Sequence, residues 1–319
     1  MKTIIINEND SGQRVDKFLS KLLPQMPKSL LYKQLRKKRV KRNKKALGPQ
    51  DILACGDELC LYINDEFFKE KKEIMVSGAG LCVIYEDENI LVCDKPAGQN
   101  AHGGEDSLLS QIQGYLYEKG EFDPKAENSF SIALSNRLDR NTGGLVLAAK
   151  NAAAQRELNE KIKNGEVEKE YLCVVNGLPK KKQDRLCHYL LSSESENRVK
   201  IVAPETKGAK EAVLEYEVLK EKQGKSLLRI RLITGRKHQI RVQLSAIGHP
   251  LLGDTKYGAP KDKSYRYQAL YAHRLTFAFV GDSGICAHRM GNKISFFGFY
   301  HARNDSSACI VQKRLRCSG

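Results

Sequence analysis

The chain has 319 residues, enough for one large core and a smaller appended domain, because single cores stop growing at about 250–300 residues. Its 54 Lys and Arg residues outnumber its 38 Asp and Glu residues, and the net charge of +16 attracts polyanions and disfavours acidic partners. The sequence has no run of about 18 apolar residues and no signal-peptide pattern, so we expect no membrane association and a cytoplasmic location.

Two short amphipathic helices are predicted near the N-terminus. Apolar residues recur there at three- and four-residue steps, first at Val15, Phe18, Leu19 and Leu22 and then at Leu30, Leu31 and Leu35. Ser29 is of a type that caps helices, so we expect it to cap the second one. The basic residues that follow suit the negative end of a helix macrodipole.

A basic run follows in the second helix and beyond it. Nine of the 13 residues from Lys33 to Lys45 are Lys or Arg, and none is acidic. Charged runs are often only solvated faces, but this much like charge on a small module repels itself unless a polyanion offsets it. We therefore expect RNA contacts from Lys33, Arg36, Lys37, Lys38, Arg39, Lys41 and Arg42.

A domain boundary is predicted near residue 80. The strand-like sequence DELCLYIND is followed by FFKEKKEIMVSGAG, which is charged and ends in small residues. We assign residues 1–66 to a small RNA-binding domain, 67–80 to a linker and 81–280 to a larger domain. Residues 281–319 form an atypical basic tail without a clear period.

The larger domain alternates short apolar strands with helices, which predicts a mixed α+β fold. Helices are expected over residues 107–117, over 152–163 with Asn151 as cap, and over 236–247, ending at Gly248. The predicted strands include IALSNRLD, GLVLAAK, EKEYLCVVNG, EAVLEYEVL and SLLRIRLIT.

Asp139 is the first candidate for chemistry, because it lies on a tight loop between two predicted strands in SNRLDRNTGGLVLAAK. An isolated Asp in such a loop usually hydrogen-bonds its own turn. Here Arg137 and Arg140 flank it, and Gly143 and Gly144 permit close approach of another backbone.

The helix predicted over 236–247 offers two more candidates. His238 and Arg241 are three residues apart and share a face, so Arg241 could meet a buried Asp, although both could equally be surface charges. Tyr171 is by default a half-buried strand aromatic, but it could form the stacking wall of a pocket for a flipped base.

The nine cysteines do not indicate a metal site or disulfides. They form no Cys-x-x-Cys pair, and Cys82, Cys93 and Cys173 lie in strand-like apolar runs. Zinc sites use closely spaced ligand pairs, so we expect reduced, mostly buried thiols and no metal.

Five motifs in order resemble those of the RluA-type pseudouridine synthases. They are DKPAGQNAH, NRLDRNTGG, EKEYLCVVNG, GRKHQIRVQLSAIGHPLLGDTKYG and LYAHRLTF, and together they span about residues 81–279. The resemblance implies an antiparallel-rich α+β catalytic domain over residues 81–280. The basic N-terminal stretch is similar to the S-four RNA-binding domain of a small-subunit ribosomal protein.

Carried onto this sequence, the resemblance implies that Asp139 is the nucleophile and that Arg241 pairs with it. Tyr171 would stack on the base and could assist proton removal. Converting uridine to pseudouridine loses no atoms, so no ATP, redox cofactor or metal is required. Asn136 stands where the family often has His, and Gly143 where it often has Ser, changes that we expect to alter only loop detail. After Phe279 the sequence lacks the family's closing strand.

The implied substrate is structured RNA, with large-subunit ribosomal RNA first and transfer RNA second. A duplex hides the reacting atoms, so the target uridine should be flipped out. We expect Arg137, Arg140 and His238 to add RNA contacts, and the protein to act as a monomer without an obligatory partner.

Two alternatives from other classes remain open. In a non-catalytic RNA-binding protein, the basic run would carry the function and the larger domain would be a scaffold. An RNA methyltransferase would need a Gly-rich loop after its first strand for the methyl donor, and GLCVIYEDENILVCDKPAG has none.

Overall fold

Two β-sheets organise the chain in the computed structural model, which describes residues 1–68, 77–193, 195–278 and 293–298. A four-stranded sheet lies in the N-terminal module, and an 11-stranded sheet lies in the larger domain. No helix in the described ranges is long and apolar enough to cross a membrane. Most of the predicted linker, residues 69–76, lies outside the described residues.

The N-terminal module packs two helices on its sheet. The predicted apolar positions of both helices lie in its core, with Leu30 partly buried. The second helix begins at Lys28 and Pro27 takes the capping position without a side-chain hydrogen bond, so the prediction that Ser29 caps it is wrong. Proline already holds a backbone angle close to the helical value, which favours a helix start directly after it. The elements are β1 (Lys2–Ile5), α1 (Val15–Leu22), α2 (Lys28–Arg36), β2 (Val40–Arg42), β3 (Lys45–Ala46) and β4 (Glu58–Leu61).

The larger sheet has the strand order β11-β10-β12-β13-β9-β14-β8-β6-β5, with β7 beside β8 and β15 beside β14. Of the described strand pairs, only β8 and β14 run parallel, which confirms the antiparallel-rich α+β fold. Its strands are β5 (Val83–Glu86), β6 (Ile90–Lys95), β7 (Ala133–Leu134), β8 (Gly143–Ala149), β9 (Glu168–Asn176), β10 (Gln183–Ser193), β11 (Arg198–Val202), β12 (Lys210–Lys222), β13 (Lys225–Leu232), β14 (Leu270–Ala278) and β15 (Lys293–Phe297).

Three helices accompany this sheet: α3 (Leu108–Glu118), α4 (Ala152–Lys163) and α5 (Gln239–Ala246). The Asn151 side chain accepts a hydrogen bond from the Ala154 amide at 2.8 Å, as expected for the cap of α4. Gly248 follows α5 with a left-handed φ of 83°, also as predicted. However, α5 begins three residues later than expected, because His238 has a φ of 53° that is incompatible with a right-handed helix.

The basic tail contributes a strand that the sequence did not predict. β15 pairs antiparallel with β14, and Phe296 is buried against Phe277 and Tyr85, with ring centroids 5.6 and 5.1 Å apart. The sequence after Phe279 does not match the closing strand expected from the resemblance, yet these five residues form a strand, because pairing with β14 and burial of Phe296 do not require a periodic pattern. The rest of the predicted tail lies outside the described residues, apart from Gly298.

Hydrogen bonds join the N-terminal module to the larger domain. Asp10 is fully buried and accepts hydrogen bonds from the Ser129 hydroxyl at 2.6 Å and the Asn128 amide at 2.7 Å. Asn9 donates to Glu127 at 2.7 Å and accepts from the Ala152 amide, the first residue of α4, at 3.0 Å. These contacts stabilise one orientation of the module, since a buried carboxylate without them would be costly.

Candidate active site

A cleft of about 860 Å³ opens beside the loop that carries Asp139. The loop connects β7 to β8, and the Asp139 carbonyl closes a turn by accepting the Thr142 amide at 3.0 Å. The Asp139 side chain is 27% exposed and faces the cleft, so a ligand can reach its carboxylate.

Asn136 ties the start of this loop to β8. Its side-chain amide donates to the Leu145 carbonyl at 3.1 Å, and its side-chain oxygen accepts the Leu147 amide at 2.8 Å. An amide can satisfy one donor and one acceptor of a strand at the same time. The substitution of Asn for the family's His therefore leaves the loop held by two hydrogen bonds.

Gly144 allows β8 to approach β14. Its φ is 117°, and a Cβ at this position would lie 2.5 Å from the Ala272 nitrogen. The parallel pairing of β8 and β14 occurs at this point, because Ala272 is the register partner of Gly144. The predicted close approach of another backbone at this glycine is confirmed.

Lys95 links this loop to the preceding DKPAG loop, and the sequence analysis did not select it. Its ammonium group is fully buried and donates to the carbonyls of Pro96 and Gln99 at 2.9 Å and of Arg140 at 3.2 Å. Burial lowers the pKa of Lys95 to about 8, although the nearby negative charge of Asp139 acts in the opposite direction. A lysine beside an aspartate in a polar motif normally indicates an exposed residue, so the sequence carried no signal for this role.

Arg241 contacts two carboxylates from the inner face of α5. Its guanidinium donates to Asp139 at 3.0 Å and makes two hydrogen bonds with Asp254, at 2.6 and 2.8 Å. Burial by itself lowers the pKa of Arg241, but the hydrogen bonds and charge of Asp254, followed by those of Asp139, outweigh it and raise the pKa. The expectation that this helix brings Arg241 against a buried Asp is confirmed, and that buried residue is Asp254.

His238 approaches the same oxygen of the Asp139 carboxylate as Arg241, with its Nε2 at 3.6 Å from Asp139 Oδ2. Burial is the main reason that its pKa falls to about 4, so the ring is neutral at neutral pH. Its Nδ1 lies 2.7 Å from the Tyr257 hydroxyl, which accepts the Val199 amide. The Tyr257 hydroxyl can donate its own proton to Nδ1, in the tautomer that carries the ring proton on Nε2, facing Asp139.

Tyr171 lies on β9 and lines the cleft with an almost buried ring, 7% exposed. Burial raises the pKa of its hydroxyl far above the usual range, and the charge of Asp139 raises it further. The side chain is therefore a neutral phenol at neutral pH. Leu232, Ile240 and Leu270 provide an apolar lining to the same cleft, which suits a flat heterocyclic base.

The predicted RNA-contacting residues occupy different environments. Arg137 is exposed on the cleft, whereas Arg140 is exposed and donates to the Gly98 carbonyl at 3.0 Å. Arg42 forms an ion pair with Asp57 at 3.0 Å, and the partly exposed Lys41 lies 5.3 Å from the Tyr62 ring centroid. The other predicted RNA contacts of the basic run, Lys33, Arg36, Lys37, Lys38 and Arg39, are all exposed.

Four further cations line the cleft, namely Lys163, Lys169, Arg236 and Lys237, and the sequence analysis did not select them. Lys169 precedes Tyr171 by two positions on β9, so both side chains lie on the same face of the sheet. Among the described residues, no group of three or more His, Cys, Asp or Glu side chains has a geometry that could hold a metal ion.

The comparison with known proteins agrees with this geometry. The family model described as RNA pseudouridylate synthase matches residues 89–246, which include the Asp139 loop, Tyr171 and Arg241. The ribosomal large subunit pseudouridine synthase C of Escherichia coli (strain K12) is 32% identical over 263 residues, covering 81% of this chain and 80% of that protein. An uncharacterized RNA pseudouridine synthase of Mycoplasma capricolum is 31% identical and covers 87% of this chain and 92% of its own.

Solved structures show the same fold. The human RNA pseudouridylate synthase domain containing 4 aligns with a TM-score of 0.52 and 22% identity, over 68% of this chain and 88% of that one. The human RNA pseudouridylate synthase domain containing 1 aligns with a TM-score of 0.50 and 23% identity, over 66% of this chain and 81% of that one. With relatives above 30% identity across four fifths of its length, the chain belongs to the RluA-type RNA pseudouridine synthases, the isomerases that convert uridine in RNA to pseudouridine.

Proposed function

We propose that Asp139 is the nucleophile with which this enzyme isomerises uridine. The observation that carries the proposal is the Arg241 guanidinium, which donates to Asp139 while Asp254 fixes it from the other side. A charge held in this way stabilises the anionic carboxylate before the substrate arrives, so no reorganisation is needed during the reaction.

The reaction breaks the bond between the ribose carbon and the uracil nitrogen, turns the base, and joins the same ribose carbon to carbon five of uracil. The proton on carbon five is released and the freed nitrogen takes up a proton, so the base gains and loses one proton and the overall composition is unchanged. The detached base must remain in a cleft that excludes water, and the apolar lining with Tyr171 suits this requirement. Because Tyr171 is a neutral phenol, we assign it base stacking rather than proton removal as a phenolate.

We assign His238 to the same carboxylate. A neutral imidazole with its proton on Nε2 can orient Asp139 without adding a charge, and the 3.6 Å separation can shorten when a substrate fills the cleft. Its neutral, largely buried ring makes it a poor contact for a phosphate. We therefore prefer this positioning role to the RNA contact expected from the sequence.

The substrate that we propose is large-subunit ribosomal RNA, with transfer RNA as the second candidate. The name of the E. coli relative supports the first, and the appended basic module supports a large structured RNA. The target uridine would leave its helix or loop and enter the cleft beside Asp139, at a cost of about a few kcal/mol in lost stacking. Arg137 and Arg140 flank Asp139 and can hold the phosphates of the flipped nucleotide.

We further propose the domain roles expected from the sequence. Residues 1–66 would bind RNA through its phosphates, residues 67–80 would link the two domains, and residues 81–280 would form the catalytic domain. The protein would act in the cytoplasm, as a monomer without an obligatory partner. Membership of an enzyme family sets aside the non-catalytic scaffold. It also sets aside the methyltransferase.

Tritium release from RNA labelled at carbon five of uridine tests the nucleophile, because the reaction removes that hydrogen. We expect release with the wild type and with Glu205→Gln, an exposed control. Asp139→Asn keeps the size of the side chain but removes its charge, and it should release no tritium while its affinity for RNA is largely kept. Release by Asp139→Asn at the wild-type rate would overturn the proposal.

A further inference from the structure

Three cations from separate elements converge next to the active site. Arg198 begins β11, Lys237 precedes α5, and Lys256 lies in the turn after α5. We call these three residues the Asn197 cluster, because Lys237 donates to the Asn197 side-chain oxygen at 2.8 Å and Lys256 donates to the Asn197 carbonyl. Arg198 in turn donates to the Lys256 carbonyl.

Local backbone geometry supports this arrangement. Asn197 has a left-handed φ of 46°, a conformation that asparagine tolerates better than most residues. In this conformation the Asn197 carbonyl accepts a hydrogen bond from Lys256, and its side-chain oxygen accepts one from Lys237. The cluster is therefore a defined arrangement of side chains and not three independent surface residues.

Carboxylates do not balance the cluster. Among the described residues, its members form no ion pair, and their oxygen partners are neutral carbonyl and amide oxygens. The nearby acidic groups form their ion pairs with other cations, since Glu196 pairs with Lys200 at 2.8 Å and Asp254 with Arg241, although the charge of Arg198 also lowers the pKa of Glu196. Burial lowers the pKa of Lys256, the charges of Arg241, Lys237 and Arg198 lower it further, and the charge of Asp139 only partly opposes them.

Other basic side chains of the same sheet show the contrast. Arg185 pairs with Glu215, Arg229 with Glu217, and Lys182 with Glu221. Holding three like charges together costs free energy unless an anion offsets them. An unbalanced cluster beside a cleft that takes RNA therefore indicates an anionic ligand.

Tyr257 connects the cluster to the catalytic residues. Two guanidinium groups lie close to its ring, with Arg198 5.8 Å and Arg241 4.9 Å from the ring centroid. Its hydroxyl contacts His238 Nδ1 at 2.7 Å. The cluster therefore has a fixed position relative to Asp139, and Lys237 itself lines the cleft.

We propose that Arg198, Lys237 and Lys256 bind a backbone phosphate of the RNA, adjacent to the uridine that enters the cleft. This inference rests on the proposed function, because it assumes that the uridine reaches Asp139. A phosphodiester offers two unesterified oxygens, which suit a guanidinium fork and two ammonium groups. The contact would hold the strand while the base is flipped, and it carries no sequence information.

The test compares two triple variants with the same loss of charge. The first replaces Arg198, Lys237 and Lys256 by Gln. The control replaces three exposed lysines, Lys180, Lys220 and Lys222, by Gln. These lysines lie near the start of β10, whereas the Asn197 cluster lies near its end. That strand has 11 residues, which places the two groups roughly 36 Å apart along it.

We expect the cluster variant to weaken RNA binding about tenfold and to reduce the slope of log affinity against log salt by about one. The rate at saturating RNA should change much less than the affinity. The control should change affinity less than about twofold. Equal effects of the two variants, or an unchanged salt slope in the cluster variant, would overturn the proposal.

Circular dichroism checks that both variants fold. If the triple variant does not fold, Lys237→Gln, at an exposed position, gives the same test with a smaller expected loss. RNA binding is measured by fluorescence anisotropy as well as by pseudouridine formation. A wild type that binds RNA through the cluster but forms no pseudouridine would sink the proposed function and not this site.

Discussion

Arg241 holds its charge between two carboxylates that differ in exposure, 1% for the Asp254 side chain and 27% for that of Asp139. The buried carboxylate fixes the guanidinium, and the exposed one is left for the substrate. Asp254 lies in GDTKYG, where an Asp between small residues normally indicates a turn. Its partnership with Arg241 depends on tertiary contact, so the sequence could not identify it.

Asp254→Asn should therefore lower both stability and activity. It leaves a buried guanidinium with one carboxylate partner, and breaking a buried ion pair costs about 3–5 kcal/mol. Urea unfolding should show this loss, and the turnover rate should fall about 10- to 100-fold because Arg241 no longer holds Asp139 in place. Glu205→Gln should change the free energy of unfolding by no more than about 0.5 kcal/mol and should leave the turnover rate unchanged. Wild-type turnover in Asp254→Asn would contradict the positioning role of Asp254.

His238 makes a prediction about pH. Its pKa is about 4 in the folded protein and about 6.5 when unfolded, so the unfolded chain binds more protons between these values. Stability contributed by neutral His238 is present above pH 6.5 and is lost as the pH falls to about 4. The total loss is about 3 kcal/mol.

The His238→Asn variant isolates this effect, because Asn tolerates the left-handed backbone and does not titrate. The stability difference between wild type and variant should shift by about 3 kcal/mol in favour of the variant between pH 6.5 and 4. Urea unfolding at several pH values measures it. A constant difference across this range would show that the ring is not held neutral.

At the scale of elements, β8 and β14 depend on Gly144. Gly144→Ala combines an unfavourable φ with a clash against the Ala272 backbone, whereas Gly103→Ala has a φ of 83° and no atom within 4 Å. We expect Gly103→Ala to cost about 1 kcal/mol and Gly144→Ala to cost clearly more. Urea unfolding measures these two costs. A pseudouridine-formation assay should show reduced activity only in Gly144→Ala. Equal costs would mean that the close approach of β14 is unimportant.

Helices and strands were predictable where local chemistry decides them. Asn151 and the apolar positions after it defined α4 over the expected residues 152–163. The start of α5 was missed because the left-handed His238 is stabilised by tertiary contacts with Tyr257. β15 was missed because Phe296 is buried by residues distant in sequence, which no local period reveals.

At the scale of the whole molecule, the buried Asp10 holds the N-terminal module against the larger domain. Asp10→Ala should remove three hydrogen bonds, two to Ser129 and one to Asn128, and loosen the contact while each domain stays folded. Hydrogen exchange at the Ser129 and Ala152 amides should then accelerate. Glu8→Ala, an exposed change in the same loop, should leave exchange unaltered. Unchanged exchange in Asp10→Ala would contradict the docked arrangement.

Asp139, Tyr171 and Arg241 line one cleft, as the sequence analysis expected, because the loop between β7 and β8, strand β9 and helix α5 meet there. Lys95, Asp254 and Tyr257 were not selected. They contact other residues of the site and do not line the cleft themselves, and their residue types in polar motifs give no signal of burial.

Pseudouridine mapping tests the central claim most directly. Large-subunit ribosomal RNA and transfer RNA lacking the modification are incubated with the wild type or with Asp139→Ala, and carbodiimide adducts are read as primer-extension stops. We predict new stops in ribosomal RNA with the wild type alone. Stops produced equally by Asp139→Ala, or no stops on any RNA from a wild-type protein that folds and binds RNA, would contradict the account.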